Sequence, residues 1–598
     1  MSKFLFSALA LAVAIALFAS YFVAMTVIPL FCARYLRYEK PGLADASTAK
    51  KPSLARRFHL GFDRGFVRML DLYERTVRKS VQRPGLTVAA LAGAFLLSLT
   101  IYPFIGLAFF PRTDAGQFSI NLKVPTGTRI EVTEQYVAGV EDLIRKIVGK
   151  DLHMIVSTVG LDPGFASLYT TNSGEYTTTI QVQLNGSHAV SSFAYMDRVR
   201  EQIATQYPEF RTFFSSGSMV DAVLNMGMLA PIDVQVASAD LQQANRIARD
   251  LAEKIRTFSG VGEAYIPQDM DYPAVRLDVD RVHTAELGLS PQDVIRNVIT
   301  ALNSNLMIAP NYWLDRKTGN DYFLTVQYFE HGSPSIHDFV DLRNIPLRGP
   351  NVAEPTTLDT VVKLTRIVTP TEVDHYQIQR VNDVYVTPKG EDLGRVASKI
   401  RKLIAGSHWP EGVRVNLRGM VNSMQESFKS FGKGLGLAAV LLYLILVAQF
   451  KSFKDPFLIM LAIPMGFIGV LVILPLTHTT LNVMSLMGVL MLVGIAASNS
   501  ILIVDFAHLQ EKEGLSMEDA IIRACRVRLR PILMTSLATI IGMVPMALKL
   551  GTGSEQYAPL ARAIIGGLTA SVILTVYLVP AAYVLAYRRR TEVSRPEA

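Results

Sequence analysis

Seven long apolar stretches dominate this chain and leave few folds open to it. A helix of about twenty apolar residues crosses the ~30 Å hydrocarbon core of a bilayer. Hydrophobic residues make up 50% of the chain and mean hydropathy is +0.28, values typical of membrane proteins. The sequence therefore predicts a polytopic α-helical membrane protein. Its predicted spans lie near residues 4–33, 85–107, 433–450, 456–476, 482–506, 531–549 and 559–587.

The basic residues predict how these spans are oriented. Much of the net charge of +8 lies between Arg34 and Arg83 and at residues 588–590, next to apolar spans. By the positive-inside rule both runs face the cytoplasm, so they do not indicate nucleic-acid binding. The segment 108–430 then lies outside. The first apolar run exceeds the core of about 7–15 residues of a signal peptide, so we interpret it as a span.

Two neighbouring spans carry polar and charged groups. Ser498, Asn499 and Asp505 fall in one, and Arg528 and Thr535 fall in or beside the next. At membrane depth such groups cost on the order of several kcal/mol unless they face a protein interior or a wet cavity, so they mark an ion or substrate path. Ser498 and Asp505 are seven residues apart, as are Arg528 and Thr535, so each pair shares one helix face. This pattern predicts a transporter.

Each of these residues also has a plainer interpretation. Arg528 either snorkels to the cytoplasmic headgroups or points into the bundle. Asp505 lies near the polar end of its span, and we interpret it as an interfacial residue that pairs with a nearby arginine. The plainer interpretation of Gly494 and Ser498 is that they permit close helix approach, and that of Asn499 is a hydrogen bond between helices.

The first and last spans resemble each other. Internal repeats are common in transporter folds. We expect the tail of one repeat followed by a whole second repeat, with the other part of a duplicated protein ahead of Met1. The matches share one offset of 551 and join Ala19, Ser20, Pro29 and Arg37 to Ala570, Ser571, Pro580 and Arg588.

The long polar segment predicts several α+β units. Three times a β-type run precedes an amphipathic helix, and in the second helix small and apolar residues recur at three and four residues. Side-by-side split βαβ units, with helices over one sheet face, explain this pattern. The strand and helix pairs are 119–124 with 131–148, 232–236 with 240–257, and 383–388 with 391–405.

Several long motifs in order resemble one family. AQFKSFKDPFLIMLAIPMG (448–466), GIAASNSILIVDFA (494–507) and RVRLRPILMTSLATIIGMVPMAL (526–548) are similar to the second half of resistance-nodulation-division (RND) efflux transporters, the AcrB-like exporters of hydrophobic and amphiphilic compounds. FFPRTDAGQF (109–118) and DVDRVHTAELGLSPQDV (278–294) extend the likeness into the polar segment. The chain resembles the family from its sixth span onward.

The resemblance implies a polytopic helical protein of the inner membrane with a large α+β periplasmic region. That region would contain ferredoxin-like porter subdomains and a docking subdomain with a projecting loop around Leu302 to Tyr322. The expected divisions are a span at 1–33, a cytoplasmic basic linker at 34–84, a span at 85–107, porter subdomains at 108–270, a docking subdomain at 271–364, the rest of the porter at 365–430, five spans within 431–587 and a cytoplasmic tail at 588–598.

The resemblance also implies an activity and partners. We expect the permease subunit of a multidrug or amphiphile efflux pump, a secondary active transporter and not an enzyme, that exchanges protons for substrate. It would form a homotrimer and join a periplasmic adaptor protein and an outer-membrane channel. No cofactor is expected. An alternative is a truncated or split half-transporter that does not couple to protons alone.

The family's proton machinery uses an acidic pair in its fourth span, a lysine in the tenth, and an arginine and a threonine in the eleventh. Here Ser498 stands at the lysine position, while Arg528 and Thr535 match the arginine and threonine. Serine has no accessible pKa, so direct charge compensation by lysine is lost. By this resemblance the expected coupling residues are Arg528, Thr535, Ser498, Asn499 and Asp505.

Substrate contacts are expected at Phe165 and Tyr169, because the family's drug pocket has flexible aromatic loops there and aromatic clefts suit bulky amphiphiles. For either ring taken alone, core packing is the better explanation. Met219, Met226 and Met228 suggest the metal-exporting branch instead, because thioethers bind soft metals, although methionine is also a general gap filler.

The sequence lacks the motifs of several other functional classes. The chain has no GxxxxGK[ST], HExxH, CxxC or GxSxG sequence, so P-loop ATP hydrolysis and catalysis by those routes have no basis. Its only cysteines, Cys32 and Cys525, lie beside basic ends and predict no disulfide framework. No metal site is expected.

Overall fold

A computed structural model of the chain describes residues 2–35, 54–161, 172–218, 221, 223, 225, 228–328, 336, 338–349, 354–390, 392–551 and 553–593. Within these residues, seven helices are long and apolar enough to cross a membrane, which confirms the seven predicted spans. The first three helices are α1 (Ser2–Tyr35), α2 (Leu54–Gln82) and α3 (Pro84–Leu99).

The basic segment predicted as a linker contains a long amphipathic helix. Tyr73, Val77 and Val81 recur every four residues in α2 and are buried against the membrane helices. Pro84 then begins α3 at its first position, where the missing N–H costs no hydrogen bond. The polar linker and the second span are therefore joined through almost continuous helix.

The first water-exposed unit is a split βαβ fold. Its antiparallel sheet has the strand order β2-β3-β1-β4, and helices α4 and α5 cover one face. Ile120 at the sheet centre pairs with Ile180 and Phe214, and all three are buried in one core. The elements are β1 (Gln117–Lys123), α4 (Ile130–Val148), β2 (Leu152–Val159), β3 (Thr177–Leu184), α5 (Ser192–Gln206) and β4 (Arg211–Ser216).

The second unit repeats this topology, but a long insertion interrupts it. It begins with β5 (Ile232–Ala237), α6 (Leu241–Arg256) and β6 (Val261–Tyr265). The insertion runs through β7 (Tyr272–Val279), α7 (Arg281–Glu286), α8 (Pro291–Asn303), β8 (Asn311–Leu314), β9 (Asp321–Leu324), α9 (Phe339–Arg343), β10 (Pro346–Leu347), β11 (Thr356–Thr357), α10 (Leu358–Val361) and β12 (Val362–Thr369).

After the insertion the chain returns to complete the second sheet. The returning elements are β13 (Asp374–Tyr376), β14 (Gln379–Pro388), α11 (Leu393–Gly406) and β15 (Arg414–Gly419). Strand β14 pairs with β5 and β6, and β15 pairs with the other edge of β5. All three predicted strand and helix pairs of the polar segment are confirmed, within one to four residues at their ends.

The remaining helices form the membrane bundle. The predicted windows at 433 and 531 begin later than the helices, because hydropathy marks only the lipid-facing part of a helix that continues into water. Helix α15 likewise continues past 506. The helices are α12 (Met420–Phe450), α13 (Lys454–Met460), α14 (Ala462–Leu476), α15 (Val483–Lys512), α16 (Met517–Ala547) and α17 (Ala558–Val593).

Glycines bring α14 and α17 into backbone contact. A Cβ added at Gly469 would lie 2.0 Å from the carbonyl oxygen of Gly566, and one added at Gly566 would lie 2.8 Å from the carbonyl oxygen of Gly469. Small residues at such contacts allow the close approach that drives helix association in lipid. Gly494 does not act this way within the described chain, because an added Cβ there meets nothing within 4 Å. The close-approach interpretation of Gly494 was therefore wrong.

We expect Gly469→Ala to destabilise the bundle by about 1–3 kcal/mol, the usual cost of overpacking. The measurement is the thermal unfolding midpoint of the purified chain in detergent. Gly436→Ala on α12 is the matched control, because nothing lies within 4 Å of its added Cβ. Equal midpoints for the two variants would show that the α14–α17 contact does not limit stability.

Candidate functional site

A cavity of about 250 Å³ lies between the two ferredoxin-like units, beside the segment that leads into the membrane. Its walls combine aromatic rings, thioethers and charged groups. The rings are Phe109, Phe110, Phe193 and Phe214, the thioethers are Met196, Met228 and Met420, and the charged groups are Arg112, Arg200, Lys389, Asp197 and Asp221.

Helix α5 supplies one wall of this cavity. Its N-terminus is fixed by Ser191, whose hydroxyl accepts a hydrogen bond from the Ala194 amide. The first turn then presents Phe193, whose ring lies under the Arg112 guanidinium at 5.2 Å. Arg112 also donates to the Pro388 carbonyl oxygen at 3.0 Å, so it connects α5 to the end of β14. The Arg112 guanidinium and the Phe193 ring are therefore in contact where the two units face each other.

An ion pair joins the two units beside the cavity. Nε of Arg200 on α5 donates to the Glu263 carboxylate on β6 at 2.7 Å, and the same carboxylate accepts from the Phe214 amide at 2.9 Å. Burial raises the pKa of Glu263, although the Arg200 charge opposes this effect. Arg200 also lies over the Phe214 ring of its own unit at 4.7 Å, and through Glu263 it holds one wall against the other.

The predicted membrane residues do not form one cluster among the described residues. Asn499 is buried, and its Nδ2 lies 3.5 Å from the Ser536 hydroxyl on α16, a partner that the sequence analysis did not predict. Ser498, Asp505 and Thr535 lie on exposed faces. The Thr535 hydroxyl donates to the Pro531 and Ile532 carbonyl oxygens of its own helix. Exposure of Ser498 means that its predicted close-packing role was wrong within the described chain.

The arginines at the start of α16 take different positions. Arg528 is half-buried, its guanidinium lies 4.5 Å from the centre of the Phe506 ring on α15, and its buried Nε has no hydrogen-bond partner in the described chain. It therefore packs into the bundle. Arg526 instead pairs with Asp71 at 2.9 Å and with Glu74 on α2. Among the described ion pairs none contains Asp505, so the predicted pairing of Asp505 with an arginine was wrong.

The predicted substrate residues cannot be placed. Phe165 and Tyr169 lie outside the described residues, as do Met219 and Met226. Met228 is described and lines the cavity. Among the described residues, no group of three or more His, Cys, Asp or Glu side chains is arranged to hold a metal ion.

Buried acids collect where the second sheet meets the two connections to the insertion. Asp383 accepts from Gln235 at 3.0 Å and from Gln268 at 3.2 Å, and Gln268 also donates to Asp374. Asp233, 2% exposed, leaves its Oδ1 without a hydrogen-bond partner among the described residues. The alternation in IDVQV predicts a strand with one wet face, so nothing local in the sequence indicates this second buried layer.

The pKa values of these acids follow from their burial. Burial and the Asp383 charge raise the pKa of Asp233 to about 8, with Arg418 opposing, and burial with the Asp374 charge raises the pKa of Glu372 to about 7. Next to them Lys123 of the first unit pairs with Asp269 at 2.7 Å, both almost fully buried. Charges from both units and the insertion therefore meet at one polar joint, residues 123, 233, 269, 372 and 383.

A second junction ties the first unit to the membrane helices. The Asp114 carboxylate accepts from the Ser192 hydroxyl at 2.6 Å and the Ser192 amide at 3.0 Å, at the start of α5. Burial opposes its charge, but bonds from Ser192, Gly116 and His188 lower the pKa of Asp114. The Asp114 amide in turn donates to Glu555, in the loop between α16 and α17, at 3.2 Å.

Comparison with known proteins decides the family. The sequence model described as the AcrB/AcrD/AcrF family matches residues 2–587. The chain belongs to this family. As a member of this family it has the RND transporter fold, that of a multi-pass protein of the inner membrane with a large periplasmic region.

Solved structures give the same fold. Two crystal forms of a heavy metal efflux pump are similar to the chain. Form II has a TM-score of 0.75 at 24% identity, covering 88% of this chain and 53% of the pump, and form I has a TM-score of 0.73 at 24% identity, covering 87% and 51%. The chain thus spans about half the length of these structures. The two ferredoxin-like units and the helix bundle are the shared fold.

The polar joint predicts a pH dependence of stability. Asp233 has a pKa of about 8 in the folded chain against 3.8 as its ordinary value, so between these pH values the folded state holds more protons than the unfolded state. Stability therefore falls as pH rises through this window. We expect Asp233→Asn to raise the free energy of unfolding at pH 8 by on the order of 1–3 kcal/mol, and with it the unfolding midpoint, and to leave both nearly unchanged at pH 4.

Thermal unfolding in detergent at pH 4 to 8 measures this effect. Glu253→Gln, an exposed change on α6, controls for the loss of one negative charge. A wild-type midpoint that rises with pH in parallel with that of Asp233→Asn would contradict a protonated Asp233.

Proposed function

We propose that the chain is the permease subunit of a multidrug or amphiphile efflux pump, and that the cavity between its porter units binds substrate. The observation that carries this proposal is the cavity wall, which sets phenyl rings and thioethers beside guanidinium groups. Apolar walls with a few placed polar groups are typical of small-molecule sites. An amphiphile would place its apolar part against Phe110 and Phe193 and its polar group near Arg112.

The cavity also lies between parts that can move relative to each other. Its two sides come from different ferredoxin-like units, joined there by Arg112 and by the Arg200–Glu263 pair. Opening or closing of the cleft would change the space for substrate without unfolding either core. This arrangement supports a transport cycle in which the porter units alternate between open and closed forms.

Proton coupling is proposed to involve Arg528. A half-buried guanidinium inside a membrane bundle, with an Nε that has no partner among the residues the structure describes, is costly unless it meets a carboxylate, so it would respond to the charge of one. Asn499 would hold α15 to α16, while Ser498, Asp505 and Thr535 would present polar groups on the exposed faces of these helices. With Ser498 in place of lysine, Arg528 would supply the positive charge alone.

Assembly into a homotrimer with a periplasmic adaptor and an outer-membrane channel is also proposed. The hairpin β8–β9 supports this proposal, because Trp313, Tyr322 and Phe323 are 51–58% exposed on its faces. Exposed aromatic clusters of this kind mark protein contacts. The hairpin would project from the docking subdomain into a neighbouring protomer.

Metal export is the second candidate. Met196, Met228 and Met420 line the same cavity, and thioethers bind soft cations such as Cu⁺. The structures of similar fold are titled as a heavy metal efflux pump. Four phenyl rings in the wall favour the amphiphile, since a phenyl ring offers apolar contact area but no lone pair to ligate a metal ion.

The cavity assignment predicts weaker amphiphile binding when its rings are removed. We expect Phe110→Ala with Phe193→Ala to weaken binding of the fluorescent amphiphile N-phenyl-1-naphthylamine by about tenfold, because each aromatic contact contributes roughly 0.5–1.5 kcal/mol. Fluorescence titration of the purified chain in detergent gives the dissociation constant.

Phe323→Ala, on the exposed hairpin, is the matched control for removal of a ring. Equal affinity of the double variant and the wild type would refute the cavity as the amphiphile site. If Met228→Leu instead abolished Cu⁺ binding while amphiphile binding was absent in the wild type, metal export would replace our proposal.

The coupling assignment predicts a loss of efflux in Arg528→Ala. In the assembled pump we expect at least a tenfold slower efflux of dye from cells, because the half-buried charge can no longer respond to a carboxylate. Arg530→Ala is the control, since Arg530 is exposed and lies over the Phe66 ring of α2. Unchanged efflux with unchanged pH dependence in Arg528→Ala would remove Arg528 from the mechanism.

A further inference from the structure

Helix α2 has two faces with different surroundings. On one face Tyr73, Val77 and Val81 are buried against the membrane helices, and the Tyr73 hydroxyl donates to the Val576 carbonyl oxygen at 3.1 Å. The opposite face is exposed and carries positive charge. We call this face the basic stripe, and it consists of Arg64, Arg68, Arg75 and Lys79.

The spacing of the basic stripe follows the helix period. Its residues stand at i, i+4, i+11 and i+15. At 100° per residue they fall within about 60° of arc, and at 1.5 Å per residue they extend over about 22 Å of helix. Four cations therefore form one narrow line on the side away from the bundle.

Two acidic residues of α2 pair with cations outside this line. Asp71 lies at the edge of the stripe, three residues from Arg68 and four from Arg75, but its carboxylate pairs with Arg526 of α16 at 2.9 Å. Glu74 lies on a different side and pairs with Arg526 and, at 3.5 Å, with Arg78. Within the described part of the chain, none of the four stripe residues forms an ion pair with a carboxylate, so the stripe is a row of exposed cations.

Its position is that of a membrane surface. Gln82, the last residue of α2, is followed after one residue by Pro84, the start of the spanning helix α3. Leu72 is 63% exposed and Met69 39% exposed beside the stripe, so apolar groups flank the cations. A basic amphipathic helix with exposed apolar neighbours is suited to the headgroup region of a bilayer.

We propose that the basic stripe binds the anionic headgroups of phospholipids in the cytoplasmic leaflet. The phosphates would lie along the four cations while Leu72 and Met69 enter the upper acyl region. Charge complementarity carries this assignment, because the cytoplasmic leaflet is negative and attracts juxtamembrane Lys and Arg. Lipid held there would fix α2, and through Arg526 the start of α16, at the membrane surface.

Lipid titration of the full-length chain in detergent tests the proposal. The probes are fluorescently labelled phosphatidylglycerol and the same label on phosphatidylcholine. We expect the wild type to bind phosphatidylglycerol at least tenfold more tightly, with affinity falling as salt rises. R64Q/R68Q/R75Q/K79Q should lose this preference by tenfold or more. The matched control R246Q/R249Q/R401Q/K402Q removes four exposed cations from α6 and α11 and should stay within twofold of wild type.

A charge-conserving variant separates charge from fold. R64K/R68K/R75K should keep the preference within about threefold. If it loses the preference as fully as the glutamine variant, the stripe does not act through charge and the proposal fails. It fails equally if wild type binds both lipids alike, if the stripe and control variants lose binding equally, or if a short RNA displaces phosphatidylglycerol one for one.

Discussion

The antiparallel pairing of β5 with β14 is the contact on which the periplasmic architecture depends. Val234 stands opposite Val384, both fully buried, although the long insertion separates the two strands in sequence. This pairing closes the second ferredoxin-like unit and forces both connections of the insertion to leave from one edge. The buried acids collect there because the strand face opposite the helices is covered by those connections. A cavity wall, a polar joint and the attachment of the insertion therefore follow from one long-range register.

The sequence predicts the helices and strands of this fold well, but it predicts the side-chain contacts between them poorly. Hydropathy and helical periodicity are local, so the seven spans and the three strand and helix pairs were predictable. The contacts of Asn499 with Ser536 and of Arg528 with Phe506 depend on how two helices rotate against each other. Asp233 shows most clearly what a local pattern cannot predict. The alternating strand predicts that its polar face is exposed to water, but tertiary packing buries Asp233 on that face.

The membrane helices contact each other in two ways, through close backbone approach and through polar side chains. Gly469 and Gly566 bring α14 and α17 together by removing side chains, which in lipid supplies dispersion contacts without a hydrophobic driving force. Helices α15 and α16 contribute side chains to the same apolar core, and they also meet through polar and aromatic groups, Asn499 with Ser536 and Arg528 with Phe506. A contact between two glycine backbones has one arrangement, whereas a hydrogen bond of 3.5 Å and a cation over a ring tolerate small displacements. A shift of α16 against α15 would therefore break no glycine backbone contact among the described residues.

Such a shift would reach the cavity through a short series of contacts. The loop between α16 and α17 holds Glu555, which accepts from the Asp114 amide at 3.2 Å. The Asp114 side chain binds the first residue of α5, Ser192, and the next residue is Phe193 of the cavity wall. Each link is a hydrogen bond or a peptide bond, so displacement of the loop moves the start of α5 unless one of these bonds breaks. Arg200, farther along α5, is bonded to Glu263 of the second unit. Movement of the first turn of α5 would therefore change the width of the cleft between the two units, because the other end of the helix is held to the second unit.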